Sequence, residues 1–179
     1  DVLNFDMAAE LAEVDGIRVA TVIGADDVAS APKGEESRRR GIAGIFFLYK
    51  VAGAAADAGY DLDAVVQATS KASDNTRTMG VALSPVTLPA NGKPTFELPV
   101  GEMEIGMGIH GEPGIRRTTL ESADAITSDL VARIDEDLEL ASGDEVAVLM
   151  NGLGSTPQEE LYIMFKKVSE ILGAKGVKV

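Results

Sequence analysis

Residues 145–179 constrain the fold of this chain more than any other stretch. A continuous apolar strand pattern over residues 145–150 runs into a glycine-rich loop at 151–154, and apolar residues at helical spacing follow. Residues 177–179 are again apolar and β-branched enough to begin another strand. Strand, loop, helix and strand in this order predict an α/β fold.

The rest of the chain also alternates between helical and extended patterns. An apolar stripe at residues 3, 7, 11 and 14 predicts a helix over residues 2–14, which Gly16 ends. Asp61 predicts the N-cap of another helix, and Thr156, Pro157 and Glu159 predict a capping box for the last one. Strands are predicted at 17–23, 79–83 and 102–110, helices at 40–58, 61–74 and 122–138, and loops at 24–36 and 84–94.

A change of pattern near Arg77 predicts a domain boundary. Residues 1–77 are mainly helical, whereas strands and turns become frequent beyond them. We therefore expect two α/β domains with mostly parallel or mixed sheets and flanking helices, the first ending at residue 77 and the second spanning residues 78–179. The last strand pattern has no following crossover, which predicts a fragment with the C-terminal part of one domain and the N-terminal part of the next.

The composition excludes several classes of function. The absence of cysteine removes disulfides, thiolate catalysis and sulfur-ligated zinc, and a single histidine removes histidine-rich metal sites. A net charge of −13, with only five phenylalanines and three tyrosines, disfavours nucleic-acid binding. No apolar run is long enough to span a membrane and no secretory signal is present, so a cytoplasmic location is the expectation.

Four polar segments have a plain interpretation, and two of them also have a functional one. The arginines at 38–40 are expected to form a solvated helix face, with a partner or phosphate contact as the alternative. The acidic pairs at 26–27 and 35–36 are expected to be solvated loop charges. The loop at 152–156 is expected to be an ordinary turn before a helix, with anion binding as the alternative.

The only histidine, His110, lies in a segment rich in glycine. Read as a strand, residues 102–110 place methionine and isoleucine on one face and glutamate, glycine and His110 on the other. The glycines leave space for a ligand beside the imidazole, and the turn at 111–114 would place it at a strand end. The alternative is a partly buried structural histidine. A dinucleotide site is excluded, because no helix begins at Gly111.

Several blocks of the sequence resemble one known family. Residues 103–114 closely resemble the histidine motif of the substrate-binding subunit of dihydroxyacetone kinases. The other blocks that match, in family order, are residues 1–5, 26–29, 39–44, 78–83, 92–94 and 151–157. The resemblance covers essentially the whole chain and includes erythrulose kinases.

The resemblance implies a kinase subunit that binds a short ketose. The histidine that matches His110 holds the ketose as a covalent hemiaminal, which selects carbonyl compounds over polyols. Asp1 falls on the aspartate that contacts the substrate hydroxyl and would accept its proton during phosphoryl transfer. The family also implies a homodimer and a helical nucleotide-binding partner that carries ATP or ADP with magnesium, while this chain binds no cofactor.

The chain departs from the family in ways that leave its substrate open. The family's upstream loop, which has a second histidine and a lysine, would precede Asp1. Residues 32–36 and Val86 also differ from the better-known dihydroxyacetone enzymes. Dihydroxyacetone and tetruloses such as erythrulose therefore both remain candidates. A non-catalytic ketose sensor or coactivator of the same fold is the alternative function.

Overall fold

The computed structural model describes residues 2–85, 87, 89–90, 92–154 and 156–179. Its helices are α1 Val2–Val14, α2 Ile45–Asp57, α3 Leu62–Asp74, α4 Ala123–Leu138 and α5 Gln158–Lys175, with a short 3-10 helix at Glu36–Arg38. Strands β1 Val81–Ala82, β2 Glu102–Ile105 and β3 Arg116–Thr119 pair in that order as an antiparallel sheet. The result is a mixed α/β fold with a small sheet.

The chain forms two compact units. One comprises Asp1–Asp26 and Arg40–Thr76, and the other comprises Asp27–Arg39 and Arg77–Val179. The first contains α1 to α3, and the second contains the sheet, α4 and α5. The segment Asp27–Arg39, which the predicted boundary assigns to the first domain, belongs to the second unit. The assignment of these units to two truncated domains stays a prediction.

In the first unit, Asp26 sets where α2 begins. Its carboxylate is 1% exposed and accepts the N–H groups of Ile42 and Gly44, each at 3.1 Å. A Cβ on Gly44 would lie 2.5 Å from Asp26 Cγ, so the contact requires glycine. These bonds keep residues 43–44 in a turn, and the helix predicted from residue 40 therefore begins at Ile45. The prediction that Asp26 and Asp27 are solvated is wrong, because both are buried.

The next helix follows its sequence signal closely. Asp61 Oδ1 accepts the N–H of Ala64 at 2.9 Å, which satisfies one of the free donors at the start of α3. The helix then runs from Leu62 to Asp74, as predicted, and packs against α2.

Helix α1 is confirmed, but its apolar stripe is not buried. The helix spans Val2–Val14, and Gly16 follows it with a φ of +76°. None of its residues is buried. The large apolar side chains on it are all exposed, with Leu3 at 79%, Phe5 at 62%, Met7 at 59%, Leu11 at 71% and Val14 at 84%.

Two predicted strands form no ladder. Residues 17–23 form no regular secondary structure and pair with no strand in the part of the chain that the structure describes. Residues 145–150 form a single parallel bridge, in which Glu145 faces Lys178 and the N–H of Val146 donates to the Lys178 carbonyl at 2.9 Å. An apolar run predicts burial of side chains, whereas a strand also needs a neighbouring backbone to bond with.

The second unit has two apolar clusters. Met103 and Ile105 of β2 are fully buried against Ile126 of α4, as the alternation predicts. Val168 and Leu172 of α5 pack with Val177. The helix predicted over 122–138 is confirmed as α4, which begins after its N-cap Ser122, whereas the predicted capping box at α5 is wrong. Pro157 is itself the N-cap, its backbone is extended, and no side chain caps the helix.

None of the described helices is both long enough and apolar enough to cross a lipid bilayer.

Candidate functional site

The segment from Gly106 to Ile115, here called the His110 loop, joins β2 to β3. The strand predicted over residues 102–110 ends at Ile105, because Gly106 has a φ of +78° and turns the chain away from the sheet. A Cβ at Gly106 would lie 2.6 Å from Ala29 Cβ, so both conformation and space require glycine. His110 therefore lies in a turn within a loop, and its predicted place at a strand end is wrong.

Backbone hydrogen bonds close the base of the His110 loop. The N–H of Ile115 donates to the Ile105 carbonyl at 2.8 Å, which brings the two ends of the loop together. The N–H of Gly106 donates to the Gly80 carbonyl at 2.7 Å, which ties the first end to the residue before β1. Backbone hydrogen bonds thus hold both ends of the loop, although the loop is longer than an ordinary hairpin turn.

The tip of the loop is held by two further bonds. Gly108 donates its N–H to the Glu112 carbonyl at 3.0 Å, and Gly111 donates its N–H to the Gly108 carbonyl at 3.1 Å. Gly111 has a φ of +90° and packs against Phe96, to whose Cβ an added methyl group would approach within 3.3 Å. Local hydrogen bonds thus order the backbone that carries His110.

The imidazole of His110 is open to solvent and has a carboxylate beside it. Its side chain is 78% exposed, and Nδ1 lies 3.3 Å from Glu112 Oε1. The backbone N–H of His110 donates to Glu112 Oε2 at 3.0 Å. This exposure does not fit the alternative of a partly buried structural histidine. A carboxylate next to Nδ1 favours the tautomer with a proton there, which leaves the lone pair on Nε2.

Glu112 remains ionised in this position. Partial burial acts to raise its pKa, but the N–H groups of Glu112 and His110 and the imidazole outweigh that effect. The pKa of Glu112 therefore lies below its usual value. The loop thus presents an exposed imidazole with an adjacent carboxylate, an arrangement suited to addition to an electrophilic carbon.

A second glutamate, Glu104, lies at the base of the loop. It is 7% exposed, and its Oε1 accepts the N–H of Gly114 at 2.7 Å. Its Oε2 accepts from Arg117 Nε at 3.1 Å and from Nη2 at 2.8 Å. The pKa of Glu104 is lowered by the Gly114 hydrogen bond and then by Arg117, against the opposing effect of burial. From the sequence, Glu104 is expected only on a strand face, although an acid and an arginine flanking a glycine-rich loop are a signal for a contact between them.

The arginines at 38–40 do not form one solvated face. The Arg39 side chain is completely buried and binds Asp137 through two nitrogens, at 3.0 and 2.5 Å. Arg77 also donates to Asp137. The hydrogen bond from Arg39 has the largest effect on the pKa of Asp137. Together with the bond from Arg77 it outweighs the opposing effect of burial and lowers this pKa to about 2. Arg38 instead pairs with Glu35 on the surface.

Two predicted site features lie wholly or partly outside the described residues. Asp1, the predicted acceptor of the hydroxyl proton, is one of them. The other is the glycine-rich loop at 152–156, which includes Ser155; its following residue Pro157 has no N–H to offer an anion. Within the described ranges, no group of three or more histidine or acidic side chains is arranged to hold a metal ion.

The whole chain matches a known protein domain. The Dak1 domain model matches residues 1–179. A PTS-dependent dihydroxyacetone kinase subunit of Listeria innocua, described as the dihydroxyacetone-binding subunit DhaK, is 53% identical over all of this chain and 54% of its own length. The L-erythrulose kinase of Pectobacterium atrosepticum is 40% identical, over all of this chain and 31% of its own length.

A solved structure resembles this chain over its whole length. The dihydroxyacetone kinase operon co-activator Dha-DhaQ superposes with a TM-score of 0.89 at 34% identity, over 100% of this chain and 55% of its own. The chain thus spans about half the length of the dihydroxyacetone-binding subunit and about a third of the length of the erythrulose kinase. A domain match over every residue, with relatives above 30% identity, shows that the chain belongs to the Dak1 domain family.

Proposed function

We propose that this chain is the substrate-binding part of a ketose kinase, and that His110 holds the ketose as a covalent hemiaminal. The observation that carries the proposal is the exposed imidazole of His110, with Nδ1 beside Glu112 on a loop built from glycines. The relatives support the substrate class, since they include a dihydroxyacetone-binding subunit and an erythrulose kinase. Dihydroxyacetone and erythrulose are both ketones with a terminal hydroxyl group.

The addition step uses His110 and Glu112 of the loop, together with solvent water. The lone pair of His110 Nε2 attacks the carbonyl carbon, a C–N bond forms, and the carbonyl π electrons move to oxygen. That oxygen takes a proton from water. The imidazolium then releases its Nδ1 proton through Glu112 to solvent, so the net result is addition of N–H across the carbonyl. A polyol has no carbonyl to attack and is not retained.

Phosphoryl transfer then uses the terminal hydroxyl of the held ketose. In the proposal, Asp1 accepts the proton of that hydroxyl as its oxygen attacks the γ-phosphoryl group. ATP, or ADP recharged by a phosphotransfer chain, is carried with magnesium by a helical partner subunit or domain. The working assembly is a cytoplasmic homodimer with that partner. Neither nucleotide nor metal is assigned to residues of this chain.

Intact-mass spectrometry tests the covalent step. The full-length protein is incubated with dihydroxyacetone or erythrulose and measured without a reductant. We expect a mass increase equal to one ketose, which His110→Ala abolishes, and no increase with glycerol. An unchanged mass with both ketoses contradicts the proposal. Asp1→Asn separates the two roles, because it should keep the adduct but lose turnover.

The likeness to an operon co-activator supports a second function, a ketose sensor that performs no phosphorylation. A kinase assay with the full-length protein, the helical partner and the phosphoryl donor separates the two functions. Ketose phosphate formed in proportion to enzyme supports the kinase. An adduct on His110 without turnover under the same conditions supports the sensor.

A further inference from the structure

Glu104 is a buried charge that the proposed chemistry does not use. Its side chain is 9% exposed, and its two oxygens bind different partners. One accepts the N–H of Gly114 at 2.7 Å, and the other accepts two nitrogens of Arg117, the nearer at 2.8 Å. Gly114 belongs to the returning arm of the His110 loop, so a single carboxylate connects that arm to the sheet.

The register of the sheet makes this connection direct. Glu104 on β2 lies opposite Arg117 on β3, in a paired position of the antiparallel ladder. Arg117 is therefore delivered to the carboxylate by the strand that follows the loop. Neighbouring residues Ile105 and Ile115 close the loop base through their own backbone bond of 2.8 Å. The carboxylate and the ladder thus hold the same end of the loop.

Gly114 is packed closely against the end of β2 and the Glu104 side chain. A Cβ at Gly114 would lie close to the Ile105 carbonyl oxygen, 2.9 Å from Glu104 Cγ and 3.0 Å from the backbone nitrogen of Met107. The returning arm therefore passes between Glu104 and the outgoing arm with no room for a side chain. A shift of Glu104 would move Gly114 and, through the short turn that follows His110, the backbone of the histidine.

We propose that Glu104 is a positioning residue for His110, and that Arg117 fixes the orientation of its carboxylate. This inference rests on the proposed function, because it concerns the same ketose adduct. A purely structural role would not call for an ionised group, since a buried ion pair is often no more stabilising than well-packed apolar side chains. Arg117 is also 47% exposed, which limits its contribution to stability. However, the Glu104 carboxylate, held in place by Arg117, fixes the direction of the Gly114 N–H that it accepts.

Ketose titration of the full-length protein, read by intact mass, tests the inference. Glu104→Gln keeps the shape of the side chain but removes its charge, and we expect the half-saturating ketose concentration to rise about tenfold. Arg117→Gln should raise it about threefold, because the carboxylate still accepts from Gly114. Arg116→Gln is the matched control. Arg116 is the neighbour of Arg117 on β3, but it pairs with Asp129 at 3.0 Å and should leave the half-saturation unchanged.

The titration is run well below the unfolding temperature of every variant, so that a loss of stability alone does not alter it. Equal half-saturation in wild type and folded Glu104→Gln overturns the inference while leaving the proposed function intact. If Glu104→Gln does not fold, Arg117→Gln decides, and an unchanged value there overturns the inference. Wild-type protein that forms no adduct refutes the proposed function, and the positioning role falls with it.

Discussion

Glu104 and Asp137 are both buried carboxylates bound by arginine, but their surroundings differ. Asp137 accepts from Arg39 and Arg77, whose side chains are 0% and 12% exposed. Glu104 accepts from one half-exposed arginine and from the backbone of the His110 loop. The first carboxylate joins side chains within a packed interior, whereas the second joins a strand to a functional loop.

The difference indicates what each charge stabilises. Removing the charge of Asp137 leaves two arginines in the interior without their counter-ion, and a buried unpaired charge is strongly unfavourable. Removing the charge of Glu104 allows Arg117 to turn toward water, and the main loss falls on the loop. We therefore expect Asp137 to act mainly on the free energy of unfolding, and Glu104 mainly on the adduct with His110.

The largest expected effect on stability comes from Asp137→Asn. We expect the free energy of unfolding to fall by about 3 kcal/mol, because Arg39 and Arg77 lose their buried counter-charge. Urea unfolding followed by circular dichroism measures the change. Ketose half-saturation of the variant, measured while it is still folded, should match wild type. A cost below that of Glu104→Gln would reverse the comparison.

Lowering the pH should also weaken the ion pairs of Asp137 with Arg39 and Arg77. The expected loss of unfolding free energy is somewhat smaller than for Asp137→Asn. The pKa of Asp137 is about 2 in the folded chain and has a reference value of 3.8. A lowered folded pKa contributes stability that is fully present above the unfolded value and is lost as pH falls through the folded value. The contribution is about 2 kcal/mol, lost between about pH 4 and pH 2. Urea midpoints across this range should fall more steeply for wild type than for Asp137→Asn, and parallel curves would contradict the assignment.

The smallest effect is expected for the stability of Glu104→Gln. Arg117 reaches solvent and the neutral side chain leaves no buried charge unpaired, so the free energy of unfolding should fall by only about 1 kcal/mol. The same urea experiment measures it, with Arg116→Gln as the surface control. A loss as large as that of Asp137→Asn would make Glu104 a stability residue rather than a positioning residue.

Local signals in the sequence predicted the elements that depend on local chemistry. Helix α3 follows from the Asp61 cap and its apolar spacing, and α4 follows from the spacing of its apolar residues. The glycine pattern around His110 also predicted an open imidazole. These features depend on neighbours within a few residues, which a sequence displays directly.

Features that depend on distant partners were not predicted. Arg39 and Asp137 are 98 positions apart, so nothing near residues 38–40 indicated that one arginine is buried. Asp26 was expected to be solvated because its acceptance of N–H groups near Gly44 is a tertiary contact. The strand through His110 was extended too far because side-chain alternation contains no information on the positive φ of Gly106.

The exposed surface of α1 has a consequence for cooperativity. A 13-residue helix with no buried residue gains little from packing, and short helices are marginal in water on propensity alone. Its amide hydrogens should therefore exchange through small local openings, whereas those of α5, which buries Val168 and Leu172, should wait for opening of the whole unit.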